Sequence, residues 1–77
     1  MSKLKPISAP ELVNWLIKQG FGVKRIGKTS HVKLFRAGRH TTISLKHGKK
    51  KIPTGTLKQI LGPKQTSMEE EYRRDFG

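Results

Sequence analysis

Acidic side chains are what this chain most lacks: its 77 residues carry 17 Lys and Arg against five Asp and Glu. From Met1 to Gly62 the one acid is Glu11, set against fourteen Lys and Arg, which leaves that stretch at +13. Charge of this density repels itself in a small fold unless phosphates or an acidic partner neutralise it. Cysteine is absent, so a disulfide framework and a thiolate metal site are both excluded. No apolar run approaches the ~18 residues of a membrane-spanning helix, and no apolar stretch follows the lysines of Met1 to Pro6. A soluble protein of the reducing cytoplasm, with no membrane association, is therefore expected. His31, His40 and His47 lack any metal-ligand spacing such as His-Glu-x-x-His, so neither a metal nor a small-molecule cofactor is expected.

What is present reads as one small domain followed by a short tail. Ser8-Ala9-Pro10-Glu11 has the form of a capping box with proline in the first helical turn. Leu12, Trp15, Leu16 and Gln19 follow helical spacing, with Val13 and Ile17 widening the stripe, and Gly20 is placed for a left-handed cap. Trp15 lies on that stripe and reads as core. Phe21 to Ile26, Ser30 to Phe35 and Thr41 to Leu45 alternate as strands, with turns at Gly27-Lys28-Thr29 and Ala37-Gly38. Val32 and Leu34 should point to the core, with His31, Lys33 and Phe35 on the other face, and Thr41, Ile43 and Leu45 share one face of the third strand.

A lysine loop, Gly48 to Lys51, leads into a second helix carrying Leu57, Ile60 and Leu61 on one side. Thr54 or Thr56 is expected to cap it, and Gly62-Pro63 to end it with a left-handed glycine. The order is α-β-β-β-α, an α+β layer with a three-stranded antiparallel sheet and two helices on one face. Residues 63–77 form an acidic tail able to make a short helix, with Ser67 a second capping-box serine. Two readings of the tail stay open: a partly ordered segment, or one whose Glu69 to Glu71 fold back on the basic face and compete with substrate.

The run Gly20-Phe21, Arg25, Ser30-His31, His47 and Ile52-Pro53-x-Gly55-Thr56-Leu57-x-x-Ile60-Leu61 resembles the HicA family of toxin mRNA interferases. The resemblance spans about Ser8 to Gly62. It implies a double-stranded-RNA-binding-domain-like fold, an endoribonuclease that cleaves mRNA and causes growth arrest, and a HicB-type antitoxin as partner. By position the family's catalytic histidine falls on His31. Two departures stand out: Thr29 where the family usually has glycine, and Leu45 in place of the proline of a Pro-x-His ending at His47.

RNA supplies its own nucleophile, so one imidazole with nearby cations can move the protons that cleavage needs. Histidine suits the task because imidazoles ordinarily titrate near pH 6.5, within reach of both protonation states. Arg25, Lys28, Ser30, Lys33, His47, Lys49, Lys50 and Lys51 are the candidate RNA contacts. The lysine loop precedes a helix N-terminus, where free amides also favour anions. Taken from the residues alone, His31 reads more readily as an exposed strand histidine that touches phosphate or packs on Phe35, and it is the resemblance that favours catalysis. Two alternatives therefore stand beside the nuclease: a non-catalytic RNA-binding module of the same fold, and a basic interaction protein for an acidic partner.

Overall fold

The computed structural model of the protein describes residues 4–26, 30–46 and 48–77. Helix α1 (Ala9–Lys18) starts where its capping residues dictate. The Ser8 hydroxyl accepts from the Glu11 amide at 3.4 Å and donates to the Glu11 carboxylate at 3.0 Å, satisfying one of the amides a helix start leaves without partners. Leu12, Val13, Trp15 and Leu16 are buried, whereas Ile17 is turned outward and lies 42% exposed. Gly20 follows the helix at φ +99°, a conformation glycine adopts without steric penalty.

Strands β1 (Gly22–Arg25), β2 (His31–Arg36) and β3 (Arg39–Ser44) form one antiparallel sheet in the order β1-β2-β3. The third strand begins at Arg39, two residues ahead of the expected Thr41. Arg36 pairs with Arg39, so the turn is only Ala37-Gly38, with φ of 48° and 80°. Two successive positive φ angles give the tight hairpin whose twist matches that of its strands. Val32, Leu34, Thr41 and Ile43 are buried on the side covered by helices, while Lys33, Phe35, His40 and Thr42 face outward.

Helix α2 (Thr54–Leu61) contributes Leu57, Ile60 and Leu61 to the buried cluster shared with α1 and the sheet. Burying each such side chain is worth roughly 1.5–3 kcal/mol. Both expected ends differ. Pro53 takes the cap position and no side chain caps the helix, so Thr54 and Thr56 lie inside its first turn. Gly62 is extended, at φ −76° and ψ 171°, not left-handed. Its requirement is steric: a Cβ there would lie 3.1 Å from the Lys58 carbonyl oxygen.

Helix α3 (Glu69–Phe76) follows. Met68 occupies its cap position without a side-chain hydrogen bond, and Ser67 stands at φ 57°, so the second capping box does not form. The helix holds because it is packed: Tyr72 is fully buried, and its hydroxyl donates to the Lys5 carbonyl oxygen. The ring of Trp15 meets Tyr72 and Phe76 edge-on at centroid distances of 5.5 and 5.7 Å. A partly ordered tail does not describe this segment, because the aromatic contacts supply what so short a helix lacks by itself. No helix among the described residues is long and apolar enough to cross a membrane.

Candidate nucleic-acid interface

His31 is exposed and opens β2, where it pairs across the sheet with Ser44 of β3. The β2 to β3 register also brings the Leu45 amide to the Ser30 carbonyl at 2.8 Å, which holds the strand ends together just where the histidine projects. On its other side, Ile52 donates to the Ile7 carbonyl at 2.8 Å and Lys51 bridges to Ser8. These two bonds draw the end of the lysine loop against the start of α1.

The result is a cleft of about 580 Å³ along the outer edge of β3. His31, Ser44, Lys50, Lys51 and Thr56 line it, over an apolar floor that includes Ala9 and Ile60. No described residue lining it is acidic. The first turn of α2 opens beside it, and without a side-chain cap its amides are available to an anion. A site of this composition presents one proton carrier, two ammonium groups, hydroxyls and peptide N–H groups to a single ligand.

The candidate contacts distribute unevenly. Lys50 and Lys51 share the cleft with His31, and Ser30 and Lys49 are exposed beside it in the chain. Lys33 stands on the open face of the sheet two residues from His31. Arg25 pairs with the buried Val32, which puts it on the helix side of an edge strand, away from the open face that carries Lys33. Lys28, Thr29 and His47 lie outside the described residues. Thr42, Ser44 and Thr56 line the cleft without having been among the expected RNA contacts. The alternation of β3 marks Thr42 and Ser44 as outward-facing, but only the register sets Ser44 opposite His31.

Two arginines serve the fold. Arg36 donates to the Gln19 carbonyl at 2.9 Å and lies 5.8 Å from the centre of the Phe21 ring. Arg39 donates to the Pro63 carbonyl at 2.7 Å. Of the tail carboxylates, Glu69 pairs with Arg73 at 3.4 Å on its own helix and Asp75 accepts from Trp15, and none of the four lines the His31 cleft. Among the described residues, no three His, Asp or Glu side chains group so as to hold a metal ion.

A family model described as the HicA toxin of bacterial toxin-antitoxin systems matches residues 9–68, most of the chain. The chain belongs to the HicA toxin family. No curated protein and no solved structure matches it. The HicA match begins at the first residue of α1 and ends at Met68, so the sheet, the residues lining the cleft and α2 lie within the matched span while α3 lies beyond it. HicA membership makes this a toxin of a toxin–antitoxin pair, and so implies an antitoxin partner.

Proposed function

We propose that the protein is a metal-independent endoribonuclease acting on mRNA, with His31 carrying the protons and a HicB-type antitoxin covering the site. The observation that supports this reading is the cleft that brings an exposed imidazole together with Lys50, Lys51 and an uncapped helix start. His31 takes the proton from a ribose 2′-hydroxyl. The 2′-oxygen attacks the adjacent phosphorus, and the P–O5′ bond breaks as the 5′-oxygen regains a proton. The products are a 2′,3′-cyclic phosphate and a free 5′-hydroxyl. Lys50, Lys51 and the amides of α2 hold the non-bridging oxygens as negative charge builds on them. Lys33 and Lys49 extend the cationic track on either side, Ser30 adds a hydroxyl beside it, and Lys28 and His47 are candidates for its margins.

General acid–base chemistry contributes ~10² to 10⁴-fold, so removing the imidazole should reduce cleavage by about that factor. The test incubates wild type and His31→Ala with a long RNA in chelator, alongside circular dichroism of both. Cleavage by wild type alone, leaving cyclic phosphate ends, is expected. Intact RNA with a folded wild type that still binds it would favour a non-catalytic RNA-binding module, and absence of both binding and cleavage would favour a basic interaction protein.

A further inference from the structure

The sheet face turned away from the helices holds an arrangement that the His31 cleft does not use. Phe35 is 46% exposed, yet one side of its ring is seated on Gly22, its cross-strand partner: a Cβ at Gly22 would fall 2.7 Å from Cε2 and Cζ of the ring. Glycine therefore lets the ring lie down on the backbone, which fixes one aromatic face and leaves the other to solvent. His40 pairs with Phe35 from the opposite strand, and Lys24 pairs with Lys33 one position along. A shallow hollow of about 310 Å³ joins Lys24, Lys33, Phe35, Arg39 and His40, with no acid in its described lining.

Like charges directly opposite one another weaken a strand pair, and on this face Lys24 stands directly opposite Lys33, two residues along β2 from Phe35. Such repulsion is relieved by a ligand that brings negative charge and a flat apolar surface together, and unpaired nucleotides carry both in every unit. A duplex buries its base faces in its own stack and has none to offer a protein ring.

We infer that this open face is a stacking platform for single-stranded RNA, one base lying on Phe35 and the adjoining phosphates on Lys24 and Lys33. The inference rests on the nuclease reading and gives its substrate a class: unpaired RNA. His31 and Phe35 stand four residues apart on one strand, about 13 Å at ~3.3 Å per residue, so one strand of RNA reaches from the platform to the cleft.

The test measures binding of a short single-stranded RNA and of a duplex of the same length, in a His31→Ala background so that nothing is cut. Loss of one stacked base should weaken single-strand binding by roughly 5- to 150-fold in Phe35→Ala, with duplex binding little changed and Phe35→Trp restoring affinity. Phe35→Leu, which keeps an apolar cover over Gly22 but has no ring, should behave as Phe35→Ala and stands in for it if that variant does not fold. Equal single-strand affinity in folded Phe35→Leu and in the parent overturns the inference. So does a variant that keeps RNA affinity but no longer binds the antitoxin, since the face would then belong to a protein partner. The two proposals fail separately: ring-dependent binding by a wild type that cleaves nothing sinks only the nuclease, and ring-independent binding by a wild type that cleaves sinks only the platform.

Discussion

The indole N–H of Trp15 donates to Asp75 Oδ2 at 2.9 Å, tying the first helix to the last across 60 positions of chain. A buried indole needs a partner for its one donor. Here the partner comes from the segment that follows the family match. Tyr72 and Phe76, 4.6 Å apart by ring centroid, close over the same indole, so α3 completes the core on that side of α1.

Truncating Tyr72 should therefore unsettle the whole domain. Replacing a large buried aromatic by alanine typically removes 3–5 kcal/mol, a large share of the ~5–15 kcal/mol that stabilises a domain of this kind. Tyr72→Ala is expected to lower the urea midpoint steeply and to shift Trp15 fluorescence to longer wavelength in native buffer. A midpoint within error of wild type would mean that α3 contributes little to the fold.

Alkaline pH offers a second probe of the same contact. Burial, and then the negative charge of Glu11, push the Tyr72 phenol from an ordinary 10.0 up to about 12. Between those values the unfolded chain releases the proton while the folded protein keeps it. The contribution of the neutral phenol is complete below pH 10 and is lost as pH rises through 12, a change on the order of 2 kcal/mol. Chemical denaturation from pH 9 to 12 should show a steeper loss of stability in wild type than in Tyr72→Phe, and parallel curves would contradict it.

The hairpin turn is improvable. Ala37 stands at φ 48°, where an alanine carries ~1 kcal/mol of strain and asparagine is better tolerated. Ala37→Asn, which yields Asn-Gly in a two-residue turn, should raise the melting temperature by about 4–8 °C per kcal/mol gained. Calorimetry measures this directly, and an unchanged or lower melting temperature counts against the turn geometry.

Salt dependence separates phosphate contacts from charges that serve the fold. Lys50→Ala and Lys51→Ala should each reduce the slope of log affinity against log salt by about 0.7 for single-stranded RNA. Lys64→Ala, a lysine outside the cleft lining, should leave it unaltered. Equal slopes in all three variants would mean that the lysine loop does not hold the nucleic acid.

Much of this arrangement is legible along the chain because it rests on local rules. The Ser8 to Glu11 capping box, the α1 stripe and the alternation of Val32, Leu34, Thr41 and Ile43 appear where spacing puts them. Helix ends are less legible. Thr54 and Thr56 have the chemistry of a cap, yet Pro53 takes the position. Gly62 has the usual identity of a left-handed cap, yet its backbone is extended, and a Cβ there would crowd the Lys58 carbonyl of the helix before it. Ile17 fits the apolar period but lies beyond the reach of the sheet.

The order of elements, the basic front and the outward direction of His31, Lys33 and Phe35 follow from periods of two and 3.6 residues and from charge, all of which are written locally. Which loop faces the imidazole, which glycine lies beneath Phe35 and which carboxylate satisfies Trp15 were decided only when the chain closed on itself. Those pairings join residues far apart in sequence, and they depend on strand register and helix docking, which are set by how the whole core packs.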